Sequence, residues 1–138
     1  MRNRGSASIE MAIIMPLFVA MFIATVVLGR TANAMSAVEL AAYDAARTAS
    51  LARDARTAET LAQQSVEASL LQQGLSCVQL RVNVNTEDFA APIGEPTFVW
   101  VEVSCLVSFA DIDLPGVPTD RTVSAEFVSP IDKYRTRA

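Results

Sequence analysis

The sequence predicts an α+β protein: a long N-terminal helix that contains a transmembrane segment, a second helix, and a small antiparallel sheet of about three strands packed on the helices. Three observations predict this order. An uncharged apolar run lies near the N-terminus, an alanine-rich stretch without Gly or Pro follows Arg30 as far as Gly74, and the apolar period then changes to two residues.

The apolar run from Met11 to Leu28 contains no charged residue. A helix of that length spans about 27 Å, close to the hydrocarbon thickness of a bilayer. Pro16 should kink this helix locally, which membrane helices tolerate. Arg2 and Arg4 precede the run, and this bias favours a cytoplasmic N-terminus and an exported C-terminal portion.

Two other interpretations of the run stay open. Residues 32–34 read Ala-Asn-Ala, which resembles the cleavage site of a secretory signal peptide. The chain would then be a secreted or periplasmic binding domain cut after Ala34. Alternatively, it is an uncleaved, membrane-anchored accessory protein.

The helical pattern continues beyond Arg30 and is amphipathic. It weakens at residues 52–57, where we expect a turn or kink, followed by a second helix from about Ala58 to Gln73 ended by Gly74. One unbroken helix of more than sixty residues is the alternative. The apolar face consists of Val38, Ala42, Ala45, Ala49 and Ala52, and the opposite face of Glu39, Tyr43, Arg47, Ser50 and Asp54.

Three later segments alternate between apolar and polar residues, as half-buried strands do. They are Val78 to Val84, Phe98 to Phe109 and Thr122 to Val128, joined by connections rich in Pro, Gly and acids that should be exposed loops. Val123, Ala125 and Phe127 should face inward. The face of the second strand away from the predicted core carries Phe98, Trp100 and Leu106. These residues form a partner-binding face or, if the predicted core face is the exposed one, lie under the helices.

Charge and composition exclude several classes of function. Residues 1–30 carry three basic side chains and one acidic, net +2; the rest carry eight basic and fourteen acidic, net −6, which sums to the stated −4. An acidic main portion argues against nucleic-acid binding. The sequence has no histidine and no Gly-rich phosphate loop. We therefore expect no enzymatic activity, no cofactor and no metal.

The only two cysteines, Cys77 and Cys105, fall in the portion expected to be exported. An even count in an oxidising compartment predicts a disulfide. Counting alternate residues along each strand places Cys77 on the polar face and Cys105 on the apolar face. The alternative is therefore that the two thiols stay separate and form no disulfide. Asp111, Asp113 and Asp120 cluster in one loop, where a solvated acidic loop is favoured over a calcium site because the EF-hand spacing is missing.

One acidic residue, Glu10, stands at the upstream edge of the apolar run, five residues after Gly5. A carboxylate in that position is costly in lipid and usually marks function. An interfacial charge that only positions the helix is the simpler alternative.

The stretches "GSASIEMAIIMPLF" and "AVELAAYDAARTAS" resemble the TadE-like family, pseudopilins of bacterial tight-adherence (Tad/Flp) type IV pilus systems. The resemblance covers about the first 55 residues. It implies a leader of residues 1–5 that a prepilin peptidase removes between Gly5 and Ser6, a helix over 6–55 with a transmembrane segment at 11–28, and an exported α+β domain over 56–138. The chain has Met11 where major Flp pilins usually have Tyr, and an added domain, which favours a minor pseudopilin.

The resemblance also implies a role for Glu10 and a set of partners. Its carboxylate would pair with the N-terminal amine of a neighbouring subunit in an apolar filament. The partners would be the prepilin peptidase, other pilins and pseudopilins, the assembly platform and the inner membrane, with the C-terminal domain on the periplasmic side or in the pilus.

Overall fold

A computed structural model of the chain describes residues 4–92, 94–111 and 118–132, with side chains from residue 9 onward. The predicted α+β class and the predicted order of elements are confirmed. The helices are α1 (Arg4–Ser50) and α2 (Ala55–Gln72), and a short 3-10 helix covers Glu87–Ala90. The strands are β1 (Gln79–Asn85), β2 (Thr97–Ser108) and β3 (Asp120–Ile131).

The chain forms two compact units, Met1–Asn33 and Ala34–Ala138, and α1 contributes to both. The division therefore falls inside a helix. The first unit contains the apolar part of α1. The second contains the remainder of α1, α2 and the sheet.

Alanines form the buried face of both helices in the second unit. Ala42, Ala45 and Ala49 of α1, like Ala58 and Ala62 of α2, are fully buried. Small side chains leave little volume between elements, so the backbones can approach closely. The apolar face predicted for α1 is confirmed.

Polar side chains also join the two helices. The Ser69 hydroxyl donates to Asp44 Oδ2 at 3.2 Å, and the hydroxyl oxygens of Thr48 and Ser65 lie 3.5 Å apart. Ser50 departs from expectation, because it is buried although it was placed on the polar face. Its hydroxyl donates to the Arg47 carbonyl at 2.7 Å, which satisfies it locally and makes burial tolerable.

A turn separates the helices, as predicted, and the single unbroken helix is ruled out. The carboxylate of Asp54 accepts hydrogen bonds from the Thr57 amide and hydroxyl, each at 2.8 Å. This N-cap starts α2 at Ala55, three residues before the predicted Ala58. At the other end Gly74 adopts a φ of 66° and the Leu75 amide donates to the Leu70 carbonyl at 3.0 Å, a Schellman ending.

The sheet is an antiparallel meander in the order β1-β2-β3. On β2, Val99, Val101 and Val103 are fully buried and belong to one core cluster with the buried residues of α1 and α2. The helices therefore cover one face of the sheet, as predicted. The opposite face is called the outer face below.

Strand limits differ slightly from expectation. β1 begins at Gln79, and Val78 is 67% exposed. β3 is longer than predicted at both ends, because Asp120 pairs with Ser108 of β2 and its last residue, Ile131, pairs with the first residue of β2. A proline, Pro130, is accommodated in β3 because this strand is at the sheet edge.

The connection between β1 and β2 is not simply an exposed loop, and that expectation was wrong for Phe89. The 3-10 helix turns this ring into the core, where it is 9% exposed. The Asp88 carboxylate accepts the Phe98 amide at 2.9 Å and so fixes the helix to the start of β2. A ring buried at the sheet end removes apolar surface from water.

Candidate functional site: the N-terminal helix

The apolar part of α1 carries large side chains on all sides. More than 60% of the residue surface is exposed at Met11, Ile13, Phe18 and Phe22. In the 18-residue stretch of highest hydropathy, no residue is buried by the rest of the protein. In the described part of the chain this is one helix that is long and apolar enough to cross a membrane, with a mean hydropathy of 2.7. An unburied apolar helix fits a membrane anchor, although an N-terminal signal sequence would meet the same criteria.

Polar groups within this apolar part bond inside the helix. The Thr25 hydroxyl donates to the Met21 carbonyl at 2.9 Å, and the Thr31 hydroxyl donates to the Val27 carbonyl at 2.8 Å. Such bonds remove most of the cost of placing a hydroxyl in hydrocarbon. α1 is continuous across Pro16, which lacks the amide that would otherwise bond one turn back.

The backbone of Gly5 and Ser6 lies in the first turn of α1, and Glu10 is exposed on the next turn. Ser6 and Glu10 are four residues apart, so they share one helical face and lie about 6 Å apart along the axis. Glycine disfavours helix by about 1 kcal/mol relative to alanine. The first turn of α1 therefore contains a residue that favours the helix less than an alanine would.

The two cysteines lie outside this helix and are joined to each other. Cys77 Sγ and Cys105 Sγ are 1.98 Å apart, and the two Cα atoms are 5.4 Å apart. The alternation of side chains along a strand would put the two cysteines on opposite faces, but Cys77 precedes β1 and lies in irregular backbone. Its side chain can therefore turn toward the core face on which Cys105 is buried. The bridge fixes the segment between α2 and β1 to the central strand.

No group of three or more metal-ligating side chains occurs in the described residues. Asp111 follows β2 and Asp120 begins β3, while Asp113 lies outside the described residues. The described ranges therefore provide no arrangement on which a calcium site could be argued.

The aromatic residues of β2 that the sequence placed on the non-core face are on the outer face. Trp100 is 46% exposed and Phe98 is 43% exposed. The faces are not inverted, so the alternative in which these residues lie under the helices is wrong. A partner-binding role for Trp100 stays a prediction.

Comparison with known proteins supports the interpretation of α1. The model of the family described as TadE-like protein matches residues 5–47. The chain carries a TadE-like segment. The match begins at Gly5, includes Glu10 and extends through most of the alanine face, so the resemblance inferred from the sequence is confirmed for α1. A TadE-like segment indicates a protein associated with a Tad pilus system and with other components of that system.

The match covers less than half of the chain, and the sheet and α2 lie outside it. No curated protein matches the chain, and no solved structure matches it. The function of the second unit must therefore be argued from its own residues.

Sequence reasoning did not single out two features of the second unit. The turn between α1 and α2 exposes Leu51 beside Arg53 and Arg56, and the register of the sheet places Glu102 directly opposite Glu126. Residue spacing could have indicated the first feature once the turn was placed. The second depends on strand register, which no single strand reveals.

Proposed function

We propose that this chain is a minor pseudopilin, a structural subunit or assembly factor of a Tad/Flp-type pilus, that a prepilin peptidase processes between Gly5 and Ser6. In this proposal it is not an enzyme. The observation that carries the proposal is the position of Glu10, five residues after Gly5 and directly before the uncharged run from Met11 to Leu28 of α1, inside the TadE-like match.

Cleavage would create a charged group with which Glu10 of a neighbouring subunit could pair. The new N-terminal amine of Ser6 would be charged and would enter the apolar environment with α1. A buried charge costs several kcal/mol unless an opposite charge meets it. Because Ser6 and Glu10 lie about one turn apart on one face, a neighbouring helix shifted by one turn, about 6 Å, would place its Glu10 beside that amine.

The proposed arrangement places the N-terminus on the cytoplasmic side of the inner membrane and the second unit outside. Arg2 and Arg4 supply the charge bias for this orientation. A disulfide between Cys77 and Cys105 is compatible with an oxidising periplasm.

The signal-peptide alternative has less support. Its cut would fall after Ala34, which is in the middle of α1 and is 3% exposed as part of the core cluster. Removal would delete the first core residue of the second unit. The uncleaved accessory protein is distinguished from the proposal by its N-terminus alone.

Mass spectrometry of the N-terminus tests these functions together. The full chain is purified from cells that contain a complete Tad system. Ser6 at the N-terminus supports the proposal, Met35 supports a cleaved signal peptide, and Met1 or Arg2 supports an uncleaved anchor. Either of the last two results rejects prepilin processing.

Glu10→Ala tests the pairing role separately. We expect normal expression and normal cleavage after Gly5, with loss of pili. Glu67→Ala is the matched control, because Glu67 is an exposed glutamate on α2 and its loss should leave pili unchanged. Normal piliation of Glu10→Ala would show that the carboxylate is not part of the assembly contact.

A further inference from the structure

The outer face carries an apolar cluster that the helices do not cover. Register places Trp100 opposite Val128 and Phe98 opposite Pro130, so four apolar side chains adjoin on two strands. Both aromatic rings are more than 40% exposed. An exposed aromatic cluster with a polar border is typical of a protein interface.

Two carboxylates border this cluster. Glu102 on β2 lies directly opposite Glu126 on β3, and both are exposed. Like charges in this position destabilise a sheet. Arg81 stands only diagonally from Glu102, opposite Ser104, so it offsets part of the charge. The acidic pair favours any partner that brings a cation.

A depression of about 200 Å³ lies between the cluster and the acidic pair. It is lined by Asn83, Asn85, Trp100, Glu102 and Glu126. A guanidinium in this position would meet two carboxylates and stand beside the indole, and Trp is the best aromatic partner for a cation. The outer face therefore fits an arginine that is adjacent to an apolar side chain.

The turn between α1 and α2 presents that combination. Leu51 is 73% exposed, and Arg53 and Arg56 are exposed on either side of Asp54. The Asp54 carboxylate is already engaged by Thr57. Of the five arginines between residues 34 and 132, three lie within residues 47–56, although the chain beyond residue 30 is strongly acidic.

We propose that the second unit docks on a second copy of itself, with the basic turn (Leu51, Arg53 and Arg56) of one copy seated on the aromatic and acidic outer face of the next. The turn belongs to the helix layer, which covers the other face of the sheet, so the contact forms between copies. Two different patches make a heterologous contact, which repeats from copy to copy. The inference concerns the second unit alone and goes beyond the proposed function.

Site-specific photo-crosslinking in membranes tests this contact with the full chain. A photoreactive phenylalanine analogue replaces Leu51 in one tagged copy, and a second copy carries a different tag. We expect crosslinks to residues 97–108 of the second copy. Glu102→Arg with Glu126→Arg in the second copy should lower the yield about tenfold or more, because like charges then face each other.

Charge exchange supplies the decisive comparison. Arg53→Glu with Arg56→Glu in the photoreactive copy should also lower the yield against an unchanged partner. When the second copy carries Glu102→Arg and Glu126→Arg, opposite charges face each other again, and the crosslinking yield should recover. Glu59→Arg with Glu67→Arg in the second copy is the matched control, because both glutamates are exposed on α2, in the helix layer that covers the other face of the sheet. The change in net charge is the same, and the yield should stay unchanged.

The possible results separate this inference from the proposed function. Crosslinks to another protein, or a yield that charge reversal leaves unchanged, would overturn docking between copies. If Ser6 is the N-terminus and pili form without the crosslink, only the docking inference fails. If the crosslink forms and responds to charge exchange while the N-terminus is Met1 or Met35, docking stands and prepilin processing fails.

Discussion

The ring of Tyr43 on α1 meets the ring of Phe127 on β3 edge to face, with centroids 4.8 Å apart and ring planes at 83°. The two rings lie at the margin of the core, at 38% and 39% exposure. They connect the TadE-like helix to the edge strand of the sheet. Phe127 is thus on the helix-facing side of β3, as the alternation of apolar and polar residues in this strand predicts, although it is not buried.

A double-mutant cycle measures this contact. We expect a coupling of about 0.5–1.5 kcal/mol between Tyr43→Leu and Phe127→Leu, the usual value for an edge-to-face pair. Urea unfolding of the full chain in detergent, followed by circular dichroism, gives the free energies. Phe98→Leu is the control, because it changes an equally exposed ring on the outer face. Additive effects of the two leucine substitutions would show that the ring contact contributes nothing.

The disulfide should supply a large share of the stability of the second unit. Cys77 and Cys105 are 28 residues apart, and closing such a loop stabilises by roughly 3–4 kcal/mol on chain-entropy grounds. Replacing both cysteines by alanine should lower the free energy of unfolding by about that amount, and reductant should have the same effect on the unsubstituted chain.

Neighbouring serines provide the control for the cysteine substitutions. Ser76→Ala with Ser104→Ala changes the adjacent positions and leaves the bridge intact, so stability should change little. A thiol assay on the unfolded, unreduced chain checks the bridge directly. Two reactive thiols per chain would be incompatible with it.

Local patterns predicted the elements well, and long-range pairing accounts for what they missed. The alanine face of α1 and the valines of β2 follow their periods, so their burial could be read from spacing. β3 extends to Asp120 because β2 offers partners there, which no local pattern encodes. The burial of Phe89 depends on a short 3-10 helix between β1 and a segment that contains two prolines, and such turns lack a period.

The candidate sites divide in the same way. Gly5 and Glu10 form a signal that is local in sequence, and the family match includes both. The outer face arises from the pairing of Glu102 with Glu126, which are far apart along the chain. Only a register determined for the whole sheet brings such residues together.

The cap of α2 should make stability depend on pH. Hydrogen bonds from the Thr57 amide and hydroxyl hold the pKa of Asp54 below its ordinary value of 3.8 in the folded chain. The contribution of the charged cap is therefore complete above the unfolded pKa and is lost as the pH falls through the lower, folded pKa.

Asp54→Asn isolates this effect, because asparagine also caps helices and carries no charge. The difference in unfolding free energy between the unsubstituted chain and the variant should shrink as the pH is lowered from about 5 to about 3. Denaturation at each pH measures it. A difference independent of pH across that range would mean that the ionised carboxylate does not stabilise the cap.

The alanine face of α1 should tolerate no larger side chain. Ala45 is fully buried, and the close-packed helix layer around it leaves no room for a leucine. Ala45→Leu should therefore lower the free energy of unfolding by about 1–3 kcal/mol, the usual cost of overpacking. Denaturant unfolding of the full chain measures the loss.

Glu39→Leu is the matched control, because it adds leucine to the exposed side of the same helix and should change stability by less than about 0.5 kcal/mol. If Ala45→Leu were as stable as the unsubstituted chain, close packing would not explain the alanines. The TadE-like match runs to residue 47 and so includes Ala45. A loss confined to Ala45→Leu would assign the second half of the matched segment to the packing of the second unit.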